Sequence, residues 1–308
     1  MRQVQYAKFG PAVGFTMAEV PTPTPGEGEV LVDVAAASYN LIDLKISSGK
    51  LAFIVGDQFP RAFGADVAGV VSAVGPAAAG FGVGDRVLGS IPVTRSGSFA
   101  EQAVLPIANA AHLPASIDFV AGSALPMTGS TALQALADTA GVRQGTRILI
   151  NGAAGGVGTF AIQIAKALGG TVSATASGAG LDQLRDLGAD EVVDYTTTDV
   201  AGLGRRLDVV FDTVSSLSRE QADGLLVAGG HHIDLNPGPP TTDDLASLHT
   251  SQFTQITPER LARLVRMVEV GSVTPVVGLT FGLDDTVRTL AAIESGANRF
   301  RGKAVLAI

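Results

Sequence analysis

The chain has 308 residues, a net charge of −8 and no cysteine. This length predicts about two domains, and the missing cysteine excludes disulfide bonds, thiolate nucleophiles and cysteine-based zinc sites. The charges are interspersed, which argues against a nucleic-acid-binding face, and no apolar run has the ~18 residues of a membrane span. Because the first residues include no apolar signal segment, we expect a cytoplasmic protein that binds neither nucleic acid nor membrane.

Residues 1–120 are predicted to be rich in β-strands, because short apolar runs alternate with glycine and proline turns. The clearest strands are Glu29–Ala35 and Val67–Val74. At the other end of the chain, residues 258–270 have the apolar spacing of a helix, and residues 302–308 form a strand. We expect this final strand to return to the first domain, which therefore comprises residues 1–120 and 257–308.

Residues 121–256 differ in pattern, because short β-branched runs alternate with helical stretches, which is typical of a parallel sheet. The predicted strands are residues 147–150, 171–175, 190–193, 207–211, a run ending at 234 and a run near 251–256. The predicted helices include residues 157–168 and 181–187. This region is predicted to be a second domain of the α/β class.

The run from Ile148 to Gly158 is the strongest chemical signal in the sequence. A buried strand enters a glycine turn that opens an apolar helix, so Gly155 lets the backbone approach a pyrophosphate and Gly158 lets helix and strand pack closely. The free N–H groups of the helix start then face the anion. The predicted contacts are Ala154, Gly155, Gly156 and Val157, and the alternative is a tight turn that holds no ligand.

The end of the next strand indicates which dinucleotide binds. An NAD site places an acid there for the ribose hydroxyls, whereas no acid occurs between Gly169 and Leu181. This absence permits the 2′-phosphate of NADP. Ser177 can donate to that phosphate, or it is an ordinary turn serine. We therefore predict NADPH, although the nearest cation is Arg185.

Several short motifs follow one another in a fixed order along the whole chain. They lie at residues 36–45, 63–71, 84–87, 97–101, 125–132, 153–158, 187–190, 211–214 and 301–303. In this order the chain resembles the medium-chain dehydrogenase/reductase superfamily, in its zinc-free quinone oxidoreductase (zeta-crystallin-like) branch. The resemblance implies a GroES-like β-rich catalytic domain split around a Rossmann domain with a doubly wound parallel sheet, and an active site in the cleft between them. It also implies a homodimer that pairs the last Rossmann strand, here near Ser251–Ile256.

Departures from the zinc-dependent relatives indicate the substrate class. Those relatives hold a catalytic metal with two cysteines and a histidine, whereas this chain has no cysteine and reads Gly64-Ala65-Asp66 where the histidine would lie. Without a Lewis acid a simple ketone is hard to polarise, but a conjugated acceptor delocalises its developing charge. We therefore expect an NADPH-dependent reductase of quinones or enones that uses no metal. The alternatives are an enoyl-thioester reductase of a biosynthetic pathway and a non-catalytic NADPH-binding protein.

Four candidate catalytic residues follow the strand that ends near Ala37. The resemblance directs Asn40 toward the nicotinamide and the substrate carbonyl, where its amide stabilises developing negative charge. Tyr39 either donates a proton, stacks on the acceptor or belongs to the core. Asp43 holds Lys45 or a loop rather than transferring protons, or the two residues form a surface or domain-bridging ion pair. The proton is expected to come from water, since no strong general acid is evident.

Further cofactor contacts are predicted by the resemblance. Thr128 and Thr131 lie at a helix start, where Thr128 binds the nicotinamide ribose or a phosphate, or caps the helix. Tyr195 matches the adenosine-side tyrosine of the family, although several relatives carry a lysine where this chain has Gly180. The remaining predicted contacts are Asp212 and Lys303, the latter to the cofactor phosphates. The histidines have no metal-ligand spacing, and His231 and His232 are expected in a solvated loop.

Overall fold

The computed structural model describes residues 1–204, 206–235 and 254–308. These residues form two compact units. The first unit comprises Met1–Met127, Ile256–Glu269 and Val276–Ile308, and the second comprises Thr128–Gln255 and Val270–Pro275.

Residues Val270–Pro275 were expected in the first domain, but they belong to the second unit. The reason is a reciprocal pair of hydrogen bonds to a buried glutamine. Thr274 N–H donates to Gln163 Oε1 at 2.7 Å, and Gln163 Nε2 donates to the Thr274 carbonyl oxygen at 3.0 Å. A buried amide is rarely left without partners, so this exchange ties the segment to the helix that carries Gln163.

The first unit is built on a seven-stranded sheet of largely antiparallel strands. In spatial order its main path is β14 (Val277–Phe281), β15 (Lys303–Ala307), β3 (Glu29–Ser38), β5 (Asp66–Val74), β6 (Arg86–Ser90) and β8 (Ala110–His112), and β7 (Gln102–Pro106) also pairs with β3. A smaller sheet has the order β2 (Thr16–Glu19), β1 (Arg2–Tyr6) and β4 (Arg61–Ala62). The expected return of the last strand is confirmed, because β15 pairs antiparallel with β3.

Short helices complete this unit. They are α1 (Leu41–Ser47), α2 (Ala52–Val55), α3 (Phe119–Ser123), α8 (Pro258–Glu269) and α9 (Thr286–Glu294). The core contains the fully buried rings of Phe63 and Phe99, which meet edge to face at 5.1 Å. Helix α8 confirms the predicted spacing, since it buries Leu261, Leu264 and Val265 on one side.

The second unit is built on a five-stranded sheet in which every pairing is parallel. Its spatial order is β11 (Glu191–Asp194), β10 (Thr171–Ala176), β9 (Arg147–Asn151), β12 (Leu207–Asp212) and β13 (Leu226–Asp234). The helices are α4 (Pro126–Leu133), which begins at the end of the first unit and continues as a π-helical turn at Gln134–Thr139, then α5 (Gly156–Ala167), α6 (Gly180–Asp186) and α7 (Arg219–Leu225). The strand order switches sides at β9, because β10 and β11 lie on one side of it and β12 and β13 on the other. In sheets of this kind, ligands are expected at the carboxyl ends of the strands beside the switch. The predicted α/β fold is confirmed.

Two local predictions differ from the structure. His231 and His232 lie in β13 rather than in a loop, because that strand extends from Leu226 to Asp234. The strand predicted near Ser251–Ile256 falls partly outside the described residues, and Thr254–Ile256 are not in a strand. His249 also lies outside them. Within the part of the chain that is described, no helix is long and apolar enough to cross a membrane.

Candidate functional site

The turn between β9 and α5 has the backbone that the glycine pattern predicts. Gly152 has a φ of +75°, which favours glycine. Gly158 lies so close to the strand end that a Cβ there would be 2.5 Å from Ala153 Cα. The helix and strand can therefore pack at this distance only because residue 158 has no side chain.

Gly155 has a different environment, which leaves room for a ligand. It is the N-cap of α5 with φ −80°, and a Cβ built on it would meet only the Gly152 carbonyl oxygen, at 3.4 Å. Helix α5 has twelve residues, and its first N–H groups have no partner within the helix. Of the four predicted residues, Ala154 and Gly155 lie on this turn, and Gly156 and Val157 are the first two residues of α5. The turn thus fits a diphosphate held by backbone N–H groups.

The carboxyl ends of β10 and β11 bring Ser177 and Tyr195 together. Ser177 Oγ donates to Tyr195 Oη at 3.0 Å, and Tyr195 is 54% exposed. No carboxylate occurs in residues 170–180. Two hydroxyl groups therefore lie together at this end of the sheet, with no acid in that segment.

Asp212 has a structural position that argues against the predicted contact with the cofactor. It is completely buried, and its carboxylate accepts hydrogen bonds from Asn151 Nδ2 and from three backbone N–H groups. Those N–H groups belong to Val214, Ser215 and Leu217. Asp212 therefore holds the loop after β12 in shape, as buried carboxylates with several donors do.

Thr128 and Thr131 lie in α4 as predicted, but neither is its N-cap. The helix begins at Pro126, so Thr128 is its third residue and is 6% exposed. The hydroxyls of Thr131 and Thr254 lie 2.6 Å apart in a hydrogen bond. Thr131 therefore anchors the segment at Thr254, and its predicted contact with a cofactor stays a prediction.

The first unit contains a buried polar network around Asn40. Lys303 Nζ donates to Asn40 Oδ1 at 2.5 Å and to the Tyr39 carbonyl oxygen at 2.7 Å. Asn40 Nδ2 donates to Asp66 Oδ2 at 3.0 Å. The same Asp66 oxygen accepts the Met127 N–H at 3.1 Å. Asn40, Asp66 and Lys303 are at most 5% exposed, so water contributes little to this network.

Strand pairing explains why these side chains meet. Ser38 in β3 pairs with Asp66 in β5 and with Val305 in β15, and Asp66 pairs with Ser90 in β6. Directly paired residues of antiparallel strands place their side chains on the same face. Lys303 lies two residues before Val305, so it shares that face. Four strands thus place Ser38, Asp66, Ser90 and Lys303 on one side of the sheet.

Asn40 begins the helix that completes the network. It is the N-cap of α1, and Asp43 Oδ2 accepts its backbone N–H at 2.8 Å. This confirms a helical turn in which residues 40 and 43 share a side. Asp43 thus supports the loop. Lys45 is half-buried in the same helix, and Tyr39 is 8% exposed with its ring against Phe300.

Burial shifts the titration of the charged members of the network. Desolvation raises the pKa of Asp43 to about 7. The hydrogen bond from the Asn40 N–H lowers this pKa, and the nearby carboxyl of Asp66 raises it further. Desolvation also raises the pKa of Asp66, and the ammonium of Lys303 opposes this shift. The pKa of Lys303 falls to about 8 because burial outweighs the attraction of the two carboxylates. Tyr39 is also shifted, since burial raises the pKa of its phenol.

Asp43→Asn is expected to change the free energy of unfolding in a pH-dependent way. Compared with the wild type at the same pH, the variant should be relatively more stable at neutral pH than in acid. In the folded protein the pKa of Asp43 is about 7, whereas in the unfolded chain it has its ordinary value near 4. Between these two pH values the unfolded chain is ionised and the folded protein is not, so the wild type loses stability as the pH rises from about 4 to about 7. Asparagine keeps the acceptor for the Asn40 N–H and does not ionise. Urea unfolding of both proteins across this range measures the difference, which should be constant above about pH 7. A difference independent of pH would contradict the prediction.

The structure corrects one expectation about this network and adds one residue to it. Lys303 was predicted to reach the cofactor phosphates, but it is 2% exposed and its ammonium donates to Tyr39 and Asn40. Asp66 was not predicted as a site residue. Two signals in the sequence point to it: it is an acid inside the apolar run from Phe63 to Val71, and it lies in the Gly64-Ala65-Asp66 segment where zinc-dependent relatives have a histidine. Buried acids are rare unless they have partners.

The described ranges contain no group of three or more histidine, aspartate or glutamate side chains that could hold a metal ion. The network itself is unsuited to a cation at its centre, because the Lys303 ammonium already occupies the acceptor of Asn40.

Comparisons with known proteins give consistent matches. An alcohol dehydrogenase GroES-like domain matches residues 26–115, and a zinc-binding dehydrogenase family matches residues 187–306. A chloroplastic quinone-oxidoreductase of Triphysaria versicolor is 35% identical over 302 residues, which is 92% of each chain. The 2-methylene-furan-3-one reductase of Solanum lycopersicum is 34% identical and matches 94% of this chain and 74% of its own.

A solved structure agrees with these sequence matches. The quinone oxidoreductase of Escherichia coli, complexed with NADPH, superposes with a TM-score of 0.85 at 26% identity over the whole of both chains. The GroES-like domain and the parallel-sheet domain expected from the motifs are confirmed by these matches.

Proposed function

Because this chain belongs to the quinone oxidoreductase branch of the medium-chain dehydrogenase/reductase superfamily, we propose that it reduces a quinone or another conjugated carbonyl with NADPH and without zinc. The observation that carries the proposal is the open glycine turn at Gly155, where backbone N–H groups and the start of α5 suit a diphosphate. The acceptor class follows from the missing cysteine, since a zinc site of the family type needs two. The name 2-methylene-furan-3-one, given to the substrate of one relative, describes a conjugated enone.

The chemistry divides between the bound nucleotide and the protein. NADPH, when bound, supplies hydride from its nicotinamide ring. The glycine turn of residues 152–158 holds the nucleotide, and the Asn40 amide donates a hydrogen bond to the carbonyl oxygen on which negative charge develops. The proton is proposed to come from water. The protein thus positions the nucleotide and polarises the carbonyl group of the acceptor. The conjugated system of the acceptor delocalises the negative charge that develops.

The preference for NADPH is proposed from Ser177 and Tyr195. Their hydroxyls lie 3.0 Å apart at the strand ends where the adenosine ribose of such sites binds. Tyr195 is more than half exposed, so a phosphate can reach it.

Ser177→Asp is expected to weaken NADPH binding at least about tenfold, or about 1.4 kcal/mol. The new carboxylate repels a 2′-phosphate, whereas it can accept hydrogen bonds from the free ribose hydroxyls of NADH. Titration of both nucleotides into both proteins measures the change, and NADH affinity serves as the internal control. Equal losses for the two nucleotides would show that Ser177 does not contact the phosphate.

The function is tested by mixing the protein with NADPH and a panel of acceptors in a stopped-flow instrument. Loss of NADPH absorbance with quinones or simple enones is the expected result. Turnover of a crotonyl-thioester without turnover of quinones would indicate an enoyl-thioester reductase. Nucleotide binding without any turnover would indicate a non-catalytic protein, and stoichiometric zinc in a metal analysis would contradict the metal-free mechanism.

The proposed homodimer is tested by sedimentation, and the cytoplasmic location stays a prediction.

A further inference from the structure

The Asn40 side chain bridges two buried groups of opposite charge. The Lys303 ammonium donates to Asn40 Oδ1 at 2.5 Å, and Asn40 Nδ2 donates to the Asp66 carboxylate at 3.0 Å. No direct ion pair between Lys303 and Asp66 occurs among the described residues, so the amide connects them. Its dipole is aligned with their field, because the oxygen faces the cation and the N–H faces the anion.

These partners fix which way the amide points. An ammonium has only donors, so the atom facing Lys303 must be the amide oxygen. An ionised carboxylate only accepts, so the atom facing Asp66 must be the amide nitrogen. A flip of the Asn40 side chain would place like against like at both ends. The two charges therefore determine one orientation of a group that is otherwise free to flip.

The second N–H of the amide makes only a long hydrogen bond. Its contact, from Asn40 Nδ2 to the Ser38 carbonyl oxygen, is 3.4 Å long, which exceeds the usual N–H···O distance. A cation on the oxygen of an amide strengthens its N–H groups as donors, because hydrogen bonds in a chain polarise one another. The second N–H is thus both oriented and strengthened.

We propose that Lys303 and Asp66 are positioning residues that lock the Asn40 amide so that its second N–H faces the carbonyl oxygen of the acceptor. This inference rests on the proposed function, because it needs an acceptor with such an oxygen. Lys303 also donates to the Tyr39 carbonyl oxygen at 2.7 Å, so it fixes the backbone that carries the amide. The two charges work on Asn40 and touch neither substrate nor nucleotide.

The energetics of burial support a role beyond folding. A buried pair of charges is often no more stable than apolar side chains of the same size. The site also leaves Asp66 Oδ1, Asp43 Oδ1 and Ser38 Oγ without a hydrogen-bond partner. Stability alone therefore does not require these two charges.

The kinetic test uses Lys303→Met, Asp66→Leu and the double variant. Each single variant should lower kcat at least about tenfold, with NADPH affinity unchanged, and should lose stability because one charge is left buried without its partner. The double variant removes both charges, so it should regain most of the stability but not kcat. Recovery of kcat together with stability would overturn the proposal, as would full kcat in Lys303→Met. Lys8→Met, which removes an exposed lysine, should match the wild type.

A second readout does not depend on turnover. In asparagine-labelled protein, NMR can follow hydrogen exchange of the Asn40 Nδ2 protons in the absence of nucleotide. Lys303→Met should speed this exchange at least about tenfold. Asn151 is the internal control, because Asp212 and Ser216 hold its amide in the second unit, and its exchange should not change.

The two readouts separate the inference from the proposed function. If wild-type protein reduces no quinone or enone, the proposed function fails and the presentation of an N–H to an acceptor fails with it. If turnover is present but Asn40 exchange is the same in wild type and Lys303→Met, only the locking by Lys303 is overturned.

Discussion

Gly155→Asp is expected to weaken NADPH binding about 100-fold, equivalent to about 2.7 kcal/mol, without lowering the stability of the fold. Gly155 has φ −80°, and a Cβ there meets only one atom, at an ordinary contact distance of 3.4 Å. Aspartate is also a favourable N-cap, so α5 is retained or slightly stabilised. The carboxylate would, however, occupy and repel the place of the diphosphate. Calorimetric titration gives the affinity, and urea unfolding gives the stability.

The matched control is Gly14→Asp. Gly14 lies in the first unit, and a Cβ there meets nothing within 4 Å. The variant adds the same charge to the protein, so it should bind NADPH as the wild type does. Unchanged affinity in Gly155→Asp would show that the turn at Gly155 is not the nucleotide site, and the proposed function would lose its main support.

Asp212→Ala is expected to lower the free energy of unfolding by at least about 3 kcal/mol, since each buried donor left without a partner costs about 1–3 kcal/mol. The substitution removes the acceptor of three backbone N–H groups and of the Asn151 amide. Asn151 also bonds Thr175, which accepts the Gly152 N–H, so the effect should extend to the glycine turn and weaken nucleotide binding as well.

Asp208→Ala is the control in the same strand. Asp208 forms a partly exposed ion pair with Arg147 at 3.3 Å and accepts the Arg147 backbone N–H at 2.8 Å. Water can replace the carboxylate at these exposed donors, and such ion pairs contribute less than about 1 kcal/mol. Urea unfolding of the two variants should therefore differ clearly. Equal stabilities would show that water replaces the Asp212 carboxylate among the N–H groups of the loop.

The second unit could be predicted well from sequence because its signals are local. The central strands of the parallel sheet are short apolar runs. Glycine is needed at Gly152 for its backbone angle and at Gly158 for close approach. Both kinds of signal are readable within about ten residues. The hydrogen-bond partners of a single carboxylate at a strand end cannot be read within so short a segment. For this reason the sequence predicts a cofactor contact for Asp212, whereas in the structure its carboxylate holds its own loop.

The network of the first unit could be predicted only in part, because its members are distant in sequence. Asn40 was identified from its motif, but the pairing that puts Asp66 beside it joins residues 26 positions apart, and Lys303 is 263 positions from Asn40. Nothing local specifies which strands pair or which face a lysine occupies. The placement of Val270–Pro275 with the second unit has the same origin, since it depends on the distant Gln163.

The last strand gives this protein a particular order of assembly during synthesis. Asn40 and Asp66 leave the ribosome early, whereas the ammonium that orients the amide is part of β15 and arrives 263 residues after Asn40. Until Lys303 has been translated, the nascent first unit must keep the Asp66 carboxylate hydrated or protonated, since an unpaired buried charge is costly. The glycine turn of the second unit can form before that point, as earlier parts of a chain generally fold first. The turn proposed to hold the nucleotide would thus form on the nascent polypeptide before the lysine proposed to orient Asn40.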